Sequence, residues 1–316
     1  MSQANSAHAA VGLLGATGAI GRSTAAALSA RATPFRVIGR DEARLKAEFA
    51  QMPQAEFAVW NPGDPKAAPR ALEGLFTIVH LLGVPYDRFK LHPILMRRVV
   101  EAAAAAGVKR ILLIGTLYVF GRARTPRIDE THPRRPHTYK GRRRKEQEDI
   151  LMQSGLAWSI LRLPDFYGPG VESSYLHDIF AAAAVGRRAN VIGPVKVPHE
   201  FVFVPDVGPV IAQMLETPAA FGHAWNLGGA GTITEYQVAQ QAFGGKPKLR
   251  VAGKLLLRLA GLFNPLMREL VEMHYLMTDP LIVDDRALDR LLGGIRKTPY
   301  DDGIRQCMAA ARKAKA

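Results

Sequence analysis

Cysteine is nearly absent from these 316 residues, with Cys307 standing alone. One thiol builds no disulfide framework, and no Cys/His cluster has the spacing that holds zinc. A packed thiol near a C-terminal helix is the plain reading. Long uncharged apolar runs are missing too. The greasiest stretch, Leu255 to Met277, is interrupted by Arg258, Arg268, Glu269 and Glu272, short of the roughly 18 or more apolar residues of a membrane span. Its spacing reads as a buried or lid-like pair of helices, broken at Asn264-Pro265. Met1 to Ala10 has neither a basic n-region nor an apolar core, so it reads as a short disordered leader, and the cytoplasm is the default compartment. Acid is scarce as well: 28 Asp and Glu against 42 Lys and Arg leave a formal charge of +14. Such a field attracts phosphates and other anions. Part of the excess is one run, Arg134, Arg135, Lys140, Arg142, Arg143, Arg144 and Lys145, whose plain reading is a solvated helix face.

What is present is an alternation of short apolar strands with helices, the pattern of a doubly wound parallel sheet. Strands are expected at 11–14, 35–38, 56–60, 77–82, 111–114 and 158–163, with a seventh at 224–227. They are continuous apolar runs, as strands buried on both faces should be. Helices fit between them, at Thr24–Ala30, Pro93–Ala106 and Arg142–Gln153. After Leu163 the rhythm changes to Pro- and Gly-marked loops around one helix, Tyr175 to Val185, and then to a mainly helical end. This divides the chain into a Rossmann-type dinucleotide-binding domain, 1–163 with 201–228, and a smaller, mostly helical substrate-side domain, 164–200 with 229–316.

The strongest motif is Gly15-Ala16-Thr17-Gly18-Ala19-Ile20-Gly21-Arg22, directly after the first strand and opening a helix. Glycines there permit a tight turn, close approach of a pyrophosphate and close helix–sheet packing, while the helix N-terminus offers free N–H groups. A tight strand–helix turn without a ligand is the bland alternative. The end of the second strand reads Gly39-Arg40 where NAD proteins carry a carboxylate for the ribose hydroxyls. An arginine fork suits a 2′-phosphate, with Arg22 able to close from the other side. NADP is therefore the expected cofactor and NAD the alternative, unless Arg40 is merely exposed and Asp41 reads the ribose.

Further ordered motifs accompany this loop: Val79-His80-Leu81-Leu82-Gly83, Ile114-Gly115-Thr116-Leu117-Tyr118, Arg162-Leu163-Pro164-Asp165-Phe166-Tyr167-Gly168-Pro169-Gly170 and Phe201-Val202-Phe203-Val204-Pro205-Asp206. Together they resemble the extended short-chain dehydrogenase/reductases, the NAD(P)-dependent epimerase/dehydratase family, over most of the chain. The resemblance implies cofactor contacts at Gly15, Thr17, Gly18, Ala19, Ile20, Gly21, Arg22, Arg40, Asn61, Leu82, Gly83, Thr116, Lys140, Pro164 and Phe166. It implies a catalytic hydroxyl at Thr116 and substrate-side roles for Tyr118, Tyr167 and His199. His92 falls where the family often has an Asn bridging the active-site strand, and reads as a helix-start residue.

The family's Tyr-x-x-x-Lys pair is absent. Aligned on Tyr139, the lysine position reads Arg143; aligned on the helix face, the pair becomes Lys140 and Arg144, the preferred register. Desolvated beside Arg144 and an oxidised nicotinamide, Lys140 would have a depressed pKa and could move a proton. Tyr139, Tyr118 and Tyr167 are the other proton candidates. His199 stands where sugar-nucleotide enzymes of this branch carry an arginine, and the Leu-rich segment 255–277 suggests an apolar roof, so a nucleotide sugar is demoted. The expected function is an NADP-dependent oxidoreductase or epimerase-like enzyme acting on a hydroxyl or carbonyl of a small molecule. The rivals are a catalytically silent NADP sensor and a nucleic-acid binder using 134–145, although Tyr139 is that run's one aromatic for base stacking. No metal and no stable nucleic-acid complex are expected. The resemblance implies a homodimer through helices 93–106 and 142–153, which the basic run would oppose.

Overall fold

A computed structural model describes residues 10–64, 69–263 and 265–314. The expected leader, apart from Ala10, and Asn264 of the expected helix break lie outside the described residues. From Val11 the chain runs β1 (Val11–Leu14), α1 (Ala19–Ala30), β2 (Phe35–Gly39), α2 (Glu42–Phe49), β3 (Ala55–Val59), β4 (Thr77–His80), α3 (Leu91–Ala105), β5 (Arg110–Thr116), α4 (Tyr139–Met152) and β6 (Ala157–Leu163). Then come β7 (Asp165–Tyr167), α5 (His177–Ala184), β8 (Ala189–Ile192), β9 (Pro198–His199), β10 (Phe201–Phe203), α6 (Val204–Glu216), β11 (His223–Asn226), β12 (Ile233–Thr234), α7 (Glu235–Ala242) and β13 (Leu249–Ala252). The chain finishes with α8 (Lys254–Ala260), α9 (Pro265–Met273), α10 (Tyr275–Thr278), α11 (Arg286–Leu292) and α12 (Tyr300–Lys313).

Seven parallel strands form the central sheet in the order β11-β6-β5-β4-β1-β2-β3. Both faces are covered, which is why the strands are apolar throughout: Ile111, Leu112 and Leu113 are all fully buried. On one face Leu13 and Val37 pack with Ala25 and Leu28 of α1 and Val207 and Ile211 of α6. On the other, Ile78 and Ile111 pack with Met96 and Val99 of α3 and Leu151 of α4. Winding runs outward from β1 to β3 and then returns to β4 on the other side. The carboxyl ends of β1 and β4 therefore flank the crevice where doubly wound sheets bind ligands.

Two smaller clusters complete the molecule. Helices α5, α7 and α12 close over Tyr167, Phe201 and Phe203. Leu117 and Phe120, just beyond β5, pack with Met273, Tyr275, Leu276 and Leu281. Helix boundaries differ from the sequence reading for a local reason. The α4 helix starts at Tyr139 rather than Arg142 because Thr138 caps it, its Oγ1 accepting from Gly141 N at 3.1 Å. The apolar segment 255–277 is also divided differently from the expected roof. Leu257 of α8 is buried, but Leu255, Leu259, Leu262 and Phe263 face solvent, so α9 and α10 supply the cover. Among the described residues no helix is long and apolar enough to cross a membrane, and no group of acidic, His or Cys side chains is placed to hold a metal.

Candidate cofactor cleft

The glycine loop has the form its sequence demands. Gly15 sits at φ +93°, and a Cβ there would press 3.0 Å from the Leu81 carbonyl carbon beneath it. A Cβ on Gly21 would overlap the Ala16 carbonyl oxygen, so α1 can lie this close to the loop only with glycine there. Gly18 caps α1 in extended backbone without a side-chain hydrogen bond. The N–H groups of the first turn are thus unspent by the helix and available to an anion.

Gly18, Ala19, Ile20 and Gly21 line an open cleft of about 310 Å³ that also takes in Leu82, Gly83, Thr116, Tyr118, Arg144, Pro164 and Phe166. Gly15 and Thr17 shape its turn, with Arg22 Nη1 donating to the Thr17 carbonyl at 2.6 Å. Arg40 is not part of that lining and is exposed just past β2. Asp41 is spent as the N-cap of α2, accepting from Arg44 N at 3.1 Å. Asn61 closes its own turn, accepting from Gly63 N at 3.0 Å.

The inner end holds the departures from the family pair. Lys140 and Arg144 are both buried, whereas Tyr139 is 43% exposed and has Arg143 over its ring. Of the two registers, the one pairing Lys140 with Arg144 faces inward. Tyr139 is not brought to the cleft. Lys140 Nζ is clasped by Glu269 and by Glu272, the latter at 2.7 Å, and lies 5.0 Å from the Tyr86 ring centre. Burial pulls its pKa down, but the two carboxylates outweigh that and hold it above the usual lysine value. The expected depressed pKa is therefore corrected: this ammonium is a strut between α4 and α9.

Arg144 is a brace. Its Nη1 donates to Gln147 Oε1 at 2.7 Å and meets His92 Nδ1 at 3.0 Å, and its Nη2 donates to the Ile114 carbonyl at 2.8 Å. Burial lowers its pKa to about 10, so it stays charged at neutral pH. Burial and that charge push His92 far below its usual range and His80 down to about 3. Both rings are therefore neutral. His92, which the sequence reads as a helix-start residue, is the acceptor that ties α3 to β5 through Arg144.

Thr116 and Asp165 both line the place where the cleft narrows into a tight extension of about 20 Å³, walled by Leu276, Pro280 and Leu281. Neither side chain has a hydrogen-bond partner among the described residues. Burial raises the Asp165 pKa to about 7. Around it, Tyr118 OH meets Tyr86 OH at 3.3 Å, and burial keeps the Tyr86, Tyr118 and Tyr175 phenols protonated past their usual range. The sequence reading passed over Asp165. Its signal was a carboxylate two residues past a strand whose last five residues are buried.

Two substrate-side expectations are corrected. Tyr167 is 1% exposed and packs against Tyr300 and Phe203 in the cluster beneath α5 and α12, away from the cleft. His199 lines the extension, but its Nδ1 meets the Val197 carbonyl at 2.8 Å and its Nε2 the Leu276 carbonyl at 3.0 Å. Both ring nitrogens are thus engaged by backbone, leaving none for an anion. Cys307 is buried, which raises its thiol pKa to about 12, so it is a packed and unreactive group. In the basic run, Arg134 pairs with Glu148 and Asp149, Arg143 with Glu146, and Lys145 with Asp149. With Lys140 and Arg144 also engaged, most of that charge is spent inside the molecule.

Residues 15–177 match the family model described as NAD(P)H-binding. No curated protein matches the sequence. Solved structures match over nearly the whole chain at low identity. A Burkholderia cenocepacia protein is 18% identical, with a TM-score of 0.80 over 96% of this chain and 98% of that one. The UDP-glucuronic acid 4-epimerase of Bacillus cereus, solved with NAD, is 15% identical, with a TM-score of 0.77 over 97% and 99%. The WbmH enzyme of Bordetella bronchiseptica, solved with NAD+, is 19% identical, with a TM-score of 0.74 over 97% and 99%. At such identities the likeness is one of fold.

Proposed function

The chain belongs to the NAD(P)H-binding family, and from that premise we propose that it is an NADP-preferring oxidoreductase interconverting a hydroxyl and a carbonyl on a small, partly apolar substrate. One observation carries the reading: a carboxyl group poised near neutrality, Asp165, and an unspent hydroxyl, Thr116, line the same inner end of the cleft. The cofactor fits what is there. Gly15 and Gly21 leave room for a pyrophosphate against the free N–H groups of α1. Arg40 would take the 2′-phosphate, since Asp41 is committed to its helix cap, while Arg22 is held by the Thr17 carbonyl and lies 3.6 Å from Glu48. When bound, the nicotinamide supplies the hydride donor or acceptor.

Everything else is done by this chain's residues. Thr116 Oγ1 donates to the substrate oxygen and fixes it. In the reducing direction the protonated Asp165 carboxyl gives that oxygen its proton; in the oxidising direction the carboxylate removes it. A group titrating near 7 serves both directions at neutral pH. Arg144 holds the Ile114 carbonyl and His92 in place, and burial, helped by its charge, keeps the imidazoles of His80 and His92 neutral. Leu276, Pro280 and Leu281 exclude water from the reacting end. The Bacillus cereus neighbour is named for UDP-glucuronic acid; here the apolar wall and the committed His199 favour a substrate without a nucleotide. The working division assigns 1–163 and 201–228 to cofactor binding and 164–200 and 229–316 to the substrate side.

A silent NADP sensor is the rival, favoured by Lys140 being locked between two glutamates. It gives no reason for an unspent Thr116 hydroxyl lining the same pocket as Asp165. The two readings separate when NADPH consumption is followed against a panel of aldehydes and ketones. Turnover that falls sharply in Thr116→Val, with NADPH affinity kept, supports the oxidoreductase. Tight NADPH binding with no turnover on any carbonyl supports the sensor.

A further inference from the structure

The α8 helix and the turn that follows it leave an apolar face uncovered. Leu255, Leu259, Leu262 and Phe263 are 71%, 54%, 74% and 91% exposed. Their spacing puts the leucines on one side of α8 and its continuation, while Leu257 anchors the helix inward. An exposure of 91% means that Phe263 stands proud of the surface rather than lining a groove. The chain leading through this tip carries charge of one sign. Residues 236–268 hold Lys246, Lys248, Arg250, Lys254, Arg258 and Arg268 and no Asp or Glu. Lys246, Lys248, Arg250 and Arg258 are exposed.

We propose that this tip is a membrane-docking surface that seats the protein on an anionic phospholipid bilayer, with Leu262 and Phe263 inserted below the headgroups and the surrounding cations at the phosphates. A projecting apolar tip on a segment whose only charges are Lys and Arg is the chemistry of interfacial attachment. Two copies of the chain joined through this face would oppose basic to basic residues, the nearby Glu269 and Glu272 of α9 being already spent on Lys140. Charge complementarity thus favours lipid over self-association. Docking also has a consequence for the cleft. The α8 helix packs on α9, whose Glu269 and Glu272 clasp Lys140, so the attached face is one helix removed from the cleft wall. A lipophilic substrate leaving the bilayer would reach the cleft across a short distance.

The test is co-sedimentation of the purified full chain with phosphatidylcholine vesicles, with and without phosphatidylglycerol. Three variants accompany it: Leu262→Ser paired with Phe263→Ser, Arg258→Glu, and Phe263→Trp read against brominated lipid. Binding should require the anionic lipid. The paired serine variant should bind at least about tenfold more weakly, and Arg258→Glu about fivefold or more. In the Phe263→Trp variant the emission of the introduced indole should shift to the blue and be quenched by the brominated chains. All of these positions are exposed, so melting temperature and NADPH affinity should be unchanged. Failure to bind anionic vesicles overturns the proposal. So does equal binding by the paired serine variant, which would mean charge attraction without insertion. A dimer in solution that the paired serine variant converts to monomer would assign the face to a second copy instead. The lipid result is independent of turnover, so it stands or falls apart from the oxidoreductase reading.

Discussion

Replacing Lys140 by Met removes the one cation between two carboxylates and leaves the shape of the stem nearly intact. The wild-type side chain is fully buried and its ammonium is held by Glu269 and Glu272, while those glutamates remain 27% and 24% exposed. Breaking a wholly buried pair costs about 3–5 kcal/mol. Here the stranded glutamates can turn toward water, which lowers the cost to about 2–3 kcal/mol. Glu272 also accepts from the backbone N–H groups of Tyr139 and Lys140, so its displacement loosens the start of α4 as well. For a chain of 316 residues that loss corresponds to roughly 3–5 °C in melting temperature. Thermal unfolding near neutral pH of the wild type, Lys140→Met, the double Glu269→Gln/Glu272→Gln and the triple variant reads it directly. The triple variant should regain most of what the single loses, because the neutral amides no longer need the cation. Lys140 is held above its usual pKa, so its contribution is full below the ordinary lysine value and fades only as pH rises through the folded value, at strongly alkaline pH. A Lys140→Met variant that melts like the wild type but has lost turnover would refute the strut and restore a proton-transfer role.

Other expectations follow from single contacts. Glu235 is 2% exposed, and burial raises its pKa from 4.5 to about 8. Between those values the unfolded chain has released a proton that the folded one keeps, so stability falls as pH rises through that window; Glu235→Gln should therefore raise the melting temperature at pH 9 and leave it unchanged at pH 4, and equal shifts at both would be contrary to the assignment. Arg40→Ala should narrow the preference for NADPH over NADH by roughly 10- to 150-fold, from the 1.5–3 kcal/mol of a charged hydrogen bond, as read by fluorescence titration of both cofactors. Gly21→Ala should abolish cofactor binding while leaving a folded far-UV spectrum, because its methyl would overlap the Ala16 carbonyl; retained affinity would mean that the loop gives way more cheaply than its packing implies.

The sheet was legible because strands covered on both faces must be apolar throughout, and Ile111-Leu112-Leu113 could hardly be anything else. The glycine loop was legible because its constraint is local: Gly15 and Gly21 each answer to neighbours within the same strand–turn–helix or directly beneath it. The inner end of the cleft was not, for the opposite reason. Lys140 meets its two glutamates across 129 and 132 residues of chain, and no spacing rule links them. Tyr167 was expected beside the cleft, but which way a three-residue strand turns its ring is decided by Tyr300 and Phe203 packing on it. The leucines of 255–277 carry a helical period that cannot say whether a partner covers it. Asp165 was in view within its motif, yet a carboxylate's proton affinity depends on burial, which only the folded chain supplies.

The sharpest test of a redox site run by Asp165 is the pH dependence of NADPH-driven reduction, measured with the best carbonyl from the panel for the wild type and Asp165→Asn. The wild-type rate should be highest below neutrality and fall as pH rises through about 7, since reduction needs the protonated acid. Asp165→Asn should lose about 10²- to 10⁴-fold and show no such limb, with NADPH affinity kept. An Asp165→Asn enzyme that retains the full rate and the same fall near pH 7 would contradict the account.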